Sequence, residues 1–375
     1  LAYKVVYNVV SIILEIRYKK LETKIFKEAK KMISVNKEKV FNTAKELLLT
    51  DSPSGFCYDV MEIIKSYADK CGYEFQTTVK GCGIITVPGK SNGKVIGLSA
   101  HVDTLGTMVR SISSEGTLKF TLLGGPQVPT LDGEYCKVRT REGKIYNGTF
   151  LSTSPSSHVY KDAKSKPRDP ENMEVRLDEV VKTKEDVEKL GICPGDFIFI
   201  DPKTTVTESG FLKSRFIDDK GSVACLLNLL EILSSEKIVP TYTTKVFISV
   251  YEEVGHGSAY IPLDITEMIA VDMGCIGEDL SCTEYDVSIC AKDSNGPYDY
   301  KMTTELINLA KGNEIKYAVD IYPFYGSDVG AALSGGNNIK GALIGPGVHA
   351  SHGMERTHYT ALEGTIKLLH AYLTK

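Results

Sequence analysis

The run Arg215-Phe216-Ile217-Asp218-Asp219-Lys220-Gly221-Ser222 sets two adjacent acids between an apolar pair and the apolar stretch Val223-Ala224-Cys225-Leu226-Leu227. Such flanks carry the acids toward the interior, where a carboxylate must find a compensating charge or become protonated. The strongest compensating charge is a metal ion, and the chain holds further donors. His101 and Asp103 follow the run Val95 to Ala100, at the i, i+2 spacing that puts two side chains on one strand face. A ligating histidine commonly passes its second ring N–H to a carboxylate, so this spacing suits a ligand, His101, and its orienter, Asp103. Glu252 and Glu253 end the run Val246 to Tyr251, and Asp272 follows Val271 at the end of another apolar run. His349, His352 and His358 lie with Glu355 and Arg356 in the segment from Gly345 to His358.

Each of these features alone has an ordinary reading: a helix N-cap for one aspartate, a solvated strand end for the others. Together, two histidines and three carboxylates make a normal ligand inventory for a pair of divalent metals. A carboxylate such as either acid of the Asp218-Asp219 pair can bridge two cations with its two oxygens, which a histidine cannot do. Adjacent strand residues point to opposite faces, so Glu252 and Glu253 should play different parts, one binding metal and the other holding a water. They are poorly placed as a glycosidase pair, which needs carboxylates facing each other about 5–10 Å apart. For the last ligand, His352 and His349 both remain candidates.

The elements that must position these groups alternate. Helices are predicted over Lys37 to Leu49, with Asn36 as cap, and over Val60 to Lys70, Gly221 to Ser235, Tyr300 to Lys311 and Leu362 to Leu373. Strands are predicted at Val95 to Ala100, Lys245 to Tyr251, Met268 to Val271 and Ala342 to Ile344. Strands alternating with helices imply an α/β fold: a mixed sheet flanked by helices, with sites at the carboxyl ends of its strands. From about Met108 to Ser209 the texture changes to short β pieces (Leu118 to Leu122, Cys136 to Thr140, Phe197 to Ile200) between turns, with an exposed polar loop at Lys161 to Pro170. This reads as a small β domain over 108–209, inserted between α/β segments 36–107 and 210–375.

Composition narrows the class. The 375 residues are 42% hydrophobic and 25% charged with a net charge of −4, which describes an ordinary globular protein and not a nucleic-acid binder. The nine cysteines form no Cys-x-x-Cys pair, so neither structural zinc nor a disulfide framework is expected, and a reducing cytoplasm fits. Leu1 to Lys31 is a Lys-rich stretch whose apolar run, Val9 to Leu14, falls well short of the ~20 residues of a membrane span. Residues 1–35 read as an N-terminal extension, with Met32 nearer the functional start.

In this order the residues resemble the M42 family of co-catalytic metallo-aminopeptidases, which includes glutamyl and tetrahedral aminopeptidases. The shared motifs are Ser99-Ala100-His101-Val102-Asp103-Thr104, Asp218-Asp219-Lys220-Gly221, Glu252-Glu253-Val254-Gly255, Val271-Asp272-Met273, Gly326-Ser327-Asp328, and His352 with Glu355. The likeness covers nearly all of the chain after Lys37. Two departures are Lys220, where many relatives carry Arg, and the altered spacing of the last motif, which keeps His349 open.

What the resemblance implies is specific. It implies a dinuclear aminopeptidase acting on peptides, with two divalent metals per subunit, zinc or cobalt. Asp218 would bridge them, His101 and Asp272 would complete one site, and Glu253 and His352 the other. Glu252 would be the general base, Asp103 would orient His101, and Asp328 would touch substrate. It also implies a cis peptide at Asp218–Asp219, a metallopeptidase domain at 36–107 and 210–375 with the insert serving dimerisation or substrate access, and a homo-oligomer, typically a dodecamer. Two alternatives are a metallo-carboxypeptidase or deacylase of the M20 type and, further off, a glycan hydrolase, since some relatives have carried an endoglucanase label. The M20 insert usually follows the Glu-Glu pair, whereas here it precedes Asp218. The Glu-Glu geometry and the absence of tryptophan argue against sugar chemistry.

Overall fold

The apolar runs become neighbours in a computed structural model that describes residues 33–375. In chain order the first strands are β1 (Glu74–Thr77), β2 (Gly83–Val87) and β3 (Ser91–His101). Then come β4 (Gly106–Ile112), β5 (Leu118–Leu123), β6 (Tyr135–Arg139), β7 (Ile145–Ser152), β8 (Met173–Leu177) and β9 (Phe197–Ile200). Two short strands, β10 (Thr205–Val206) and β11 (Phe211–Ser214), lead to β12 (Tyr242–Ser249), β13 (Ile265–Val271), β14 (Gly274–Cys275), β15 (Val287–Asp293) and β16 (Gly296–Pro297). The last are β17 (Tyr317–Ile321), β18 (Lys340–Val348) and β19 (Glu355–His358).

The main sheet is ten-stranded, in the order β1-β2-β12-β3-β13-β18-β15-β16, with β14 beside β18 and β17 beside β15. Its centre, β12-β3-β13-β18, is parallel. Such strands are covered on both faces, so they read as continuous apolar runs, and Val246, Phe247, Ile248, Met268, Ile269 and Ile344 are almost wholly buried. The covering helices are α1 (Lys37–Leu48), α2 (Tyr58–Cys71), α4 (Ile217–Ser235), α5 (Tyr300–Gly312) and α7 (Tyr359–Thr374); α3 (Lys184–Lys189) and α6 (Asp328–Ser334) are shorter. In α1 the i, i+3, i+4 set Val40, Phe41, Ala44, Leu47 and Leu48 faces inward, and the Asn36 side chain accepts the Lys39 amide, as an N-cap does. Helix α4 is buried on nearly every side, which explains why its sequence is apolar all round.

Strands β4-β5-β8-β7-β6-β9 close into a six-stranded barrel between Gly106 and Ile200. Its interior is built on Phe120 and Phe150, whose rings meet edge to face at 5.1 Å. Barrel and sheet belong to one compact unit, Val35–Lys375. The 1–35 extension lies almost entirely outside the described residues. Among the described residues no helix is long and apolar enough to cross a membrane.

One predicted strand is shorter than expected. β12 ends at Ser249, and Glu252–Val254 form a 3-10 turn. The cause is a competing acceptor: the amides of Glu252 and Glu253 donate to the Asp103 carboxylate, at 3.1 and 3.4 Å, and not to a neighbouring strand.

A buried ion pair ties the barrel to the segment that delivers Asp218. Glu134, beside β6, meets Arg215 at 2.7 Å, and both are about 4% exposed. Arg215 also donates to the Thr130 carbonyl at 2.7 Å. Removing one partner of such a pair leaves an uncompensated buried charge. Glu134→Ala is therefore expected to lower the unfolding free energy by about 3–5 kcal/mol. In urea unfolding, the double change of Glu134 and Arg215 to apolar residues should cost less than the single one.

Candidate metal centre

The parallel register brings the chemistry to one edge. Ser249 of β12 pairs with His101 of β3, and Ala270 of β13 pairs with Ser99, so Asp272, two residues on, comes level with His101. The Glu252–Val254 turn sits at the same carboxyl edge, where sites in open α/β sheets form. Asp218 and Asp219 enter from the side at the kinked start of α4, where neither has helical backbone angles and the bond joining them is cis. Asp272 reaches the edge because residue 345 is glycine: a Cβ there would stand 1.9 Å from the Asp272 carbonyl oxygen.

The two oxygens of Asp218 face two different histidines. Oδ1 lies 3.1 Å from His101 Nε2, and Oδ2 lies 3.6 Å from His352 Nε2. His352 Nε2 is also 3.7 Å from Glu253 Oε2, and His101 Nε2 is 3.7 Å from Glu252 Oε2. Two donors bound to one zinc at about 2.0–2.2 Å in tetrahedral geometry stand roughly 3.3–3.6 Å apart, so this spacing suits shared cations. His101, Asp218 and Glu253 offer ligand atoms all within 4.8 Å of one another, as do His101, Asp219 and Asp272.

Both imidazoles are turned the same way. His101 Nδ1 lies 2.9 Å from the Asp103 carbonyl oxygen, and His352 Nδ1 lies 2.9 Å from that of Gly125. A carbonyl only accepts, so each Nδ1 donates to it, and Nε2 is the ring nitrogen that faces Asp218 and would be free to take a cation. His349 is exposed, and its main chain pairs with Arg356 at 2.9 and 3.1 Å, whereas His352 is the histidine of this segment found against Asp218 and Glu253.

Three expectations change. The Asp103 carboxylate does not hold His101; its Oδ1 is 3.7 Å from Nδ1, and the carbonyl of the same residue does the orienting. The carboxylate accepts instead from Ser54 and from the Glu252 and Glu253 amides, so it shapes the turn. Glu252 and Glu253 diverge because consecutive residues of a 3-10 turn are about 120° apart, not because strand residues alternate. Asp328 lies behind the cleft, 2% exposed, where its Oδ2 accepts from Ser249 at 2.7 Å, and it does not line the opening.

Two residues contribute more than their sequence signal indicated. Glu355 is 1% exposed and accepts the Asp218 amide through Oε2 and the His352 amide through Oε1, each at 3.0 Å. It thereby holds Asp218 and the second histidine in one frame; its only signal was its place three residues after His352. Asp219 accepts the His101 amide at 3.2 Å and joins the His101–Asp272 group, beyond the purely local backbone role its sequence position suggests.

The electrostatics call for a cation. Burial, reinforced by neighbouring carboxylates, pushes Asp219, Glu252, Glu253 and Glu355 well above the ordinary carboxylate range and Asp272 up to about 7. Burial acts the same way on Asp218, but the His101 hydrogen bond and the charges of His101 and His352 outweigh it and hold this carboxyl low. For His101 burial favours the neutral ring, yet Asp218, Glu252 and the other acids drive it well above the usual histidine range. Glu253 Oε1 is buried with no hydrogen-bond partner. This donor set fits divalent cations by charge, by ligand type and by spacing. It floors a cleft of about 390 Å³.

Comparison with known proteins agrees with this geometry. The profile of the family described as M42 glutamyl aminopeptidase matches residues 81–368. YhfE of Bacillus subtilis (strain 168), which carries an aminopeptidase name, is 47% identical over 89% of this chain and 97% of its own length. The solved TET aminopeptidase of Thaumarchaeota archaeon SCGC AB-539-E09 superposes with a TM-score of 0.81 at 22% identity, covering 90% of this chain and 97% of that one. The TET1 peptidase of Pyrococcus horikoshii, which can assemble into a tetrahedron or a large octahedral shell, does so with a TM-score of 0.78 at 21% identity, covering 90% and 99%. The resemblance read from the motifs is borne out, and the chain belongs to the M42 glutamyl aminopeptidase family.

Proposed function

We propose that the protein is a dinuclear metallo-aminopeptidase that removes N-terminal residues from peptides. The observation that carries this reading is the division of the Asp218 carboxylate, one oxygen toward His101 Nε2 and the other toward His352 Nε2. Asp218 would be shared by two divalent cations, zinc or cobalt, which His101 and Asp272 would hold on one side and Glu253 and His352 on the other. When bound, such cations lower the pKa of a water toward 7 and polarise the scissile carbonyl.

The protein's own groups do the rest. Glu252 is the general base: its side chain is 15% exposed to the cleft, against 4% for Glu253, which is turned toward Asp218 and His352. It takes a proton from the attacking water and returns it to the leaving amine, a contribution of typically 10²–10⁴-fold. Asp103 fixes the turn that carries it through the Glu252 and Glu253 amides. Asp219 and the Asp103 carbonyl fix His101, and Glu355 fixes Asp218 and His352.

The cysteines are all free, which suits a cytoplasmic setting. By analogy with the assemblies of its structural relatives, the protein forms a homo-oligomer, a dodecamer built from dimers; mass photometry of the purified protein tests this.

Two variants test the roles. Glu252→Gln is expected to keep its metal content by elemental analysis while kcat on an aminoacyl-p-nitroanilide falls by about 10²–10⁴; retained turnover would remove Glu252 from its role. His352→Ala is expected to lose about one equivalent of metal per chain and His349→Ala none, after metal-stripped protein is reloaded with zinc or cobalt and dialysed. Adding either metal to stripped wild-type protein at 100 times its Kd should raise stability by about 2.7 kcal/mol, read as a higher unfolding midpoint.

A further inference from the structure

We propose that this cleft selects peptides whose N-terminal side chain is uncharged and apolar, with Ala331 on the wall that sets the choice; the inference rests on the aminopeptidase reading and adds its substrate class. Among the described residues no lysine or arginine lines the cleft, and every aspartate and glutamate that does so belongs to the metal cluster. Lys80 donates to the His256 and Gly257 carbonyls and Lys292 to that of Asp293, and both stay outside the lining. An acidic side chain entering here finds no lysine or arginine to pair with, and the cations below it are already neutralised by their own carboxylates. A basic one finds only carboxylates already engaged around the metals. Desolvating a charge without a partner is unfavourable, so both are disfavoured against a neutral group.

The remaining wall suits an apolar guest. Phe324 lines the cleft and is 95% exposed, a large ring left open to whatever enters. Tyr325 stands beside it, its hydroxyl spent on the Met273 carbonyl at 2.9 Å, so it offers mainly its ring face. Helix α6 adds Gly330, Ala331 and Ser334 to the lining. A Cβ at Gly330 would stand 2.5 Å from Asn295 Nδ2, so the glycine lets the neutral Asn295 amide lie against the helix and keeps this wall low. Binding sites commonly combine such an apolar surface with a few polar groups that orient the ligand, here the metal cluster, the Asn295 amide and the Ser327 and Ser334 hydroxyls.

The test is kcat/KM of the zinc- or cobalt-reloaded enzyme on Leu-, Met-, Phe-, Glu-, Asp-, Lys- and Arg-p-nitroanilides. The expected result is at least a tenfold preference for the neutral substrates over all four charged ones. A Glu or Lys substrate equal to or better than Leu overturns the selectivity and leaves the aminopeptidase reading standing. No turnover of any substrate by fully metallated enzyme overturns that reading and the inference with it. Ala331→Asp should shift the Lys-to-Leu ratio toward Lys at least tenfold. Ser334→Asp, one helical turn on, provides the same readout should Ala331→Asp fail to retain metal. An unchanged ratio in a metallated variant removes α6 from the selection.

Discussion

Several buried carboxylates share one sheet edge, and among the described residues none of them forms an ion pair with a lysine or arginine; the architecture around them follows from that constraint. Three of these acids are held by main-chain N–H groups from other segments. Asp103 takes those of Glu252 and Glu253, Glu355 takes those of Asp218 and His352, and Asp219 takes that of His101. Such bonds stabilise the ionised form and fix the chain that carries the next ligand. The cluster therefore behaves as an interlocked frame, in which every ligand is also a consequence of its neighbour's position.

That frame is braced from outside. Lys220, buried within α4 next to the paired acids, donates to the Thr50 carbonyl at 2.6 Å, and burial pulls its pKa down to about 8. It anchors the loop from which Ser54 reaches Asp103. The family's more usual arginine would bring a planar fork where this chain has a single point donor, so the loop is held through one contact of adjustable direction. On the other flank, the Glu134–Arg215 pair fastens the barrel to the strand end that leads into Asp218. The inserted barrel and the metal edge are thus coupled through a few residues of backbone.

Much of this was readable in the sequence because two physical signals are local. Buried parallel strands must be apolar throughout, and an acid or histidine at the end of such a run is conspicuous, which marked His101, Glu252, Glu253 and Asp272. Acids flanked by apolar residues marked Asp218. Interactions between distant segments left weaker traces. The sequence near Tyr251 does not show that β12 stops at Ser249, because the cause is a carboxylate from Asp103, far away in the chain. Nor does it show that a carbonyl and not a carboxylate orients His101, since every residue has a carbonyl. Glu355 looked like a neighbour of a histidine, and only the fold reveals that it also grips Asp218. Asp328 carried a family-like motif, yet the short helix it opens turns its side chain under β12.

The double grip of Glu355 has a further consequence for the order in which the protein is made. The frame draws on residues near 101, 218, 252 and 272, but it closes only when residues 352 to 355 arrive. During synthesis the strands that carry the earlier ligands can pair long before then. A growing chain thus carries an unfinished donor set until its last strand and helix emerge from the ribosome. Any activity that needs both histidines therefore becomes available only once residues 352 to 355 are in place.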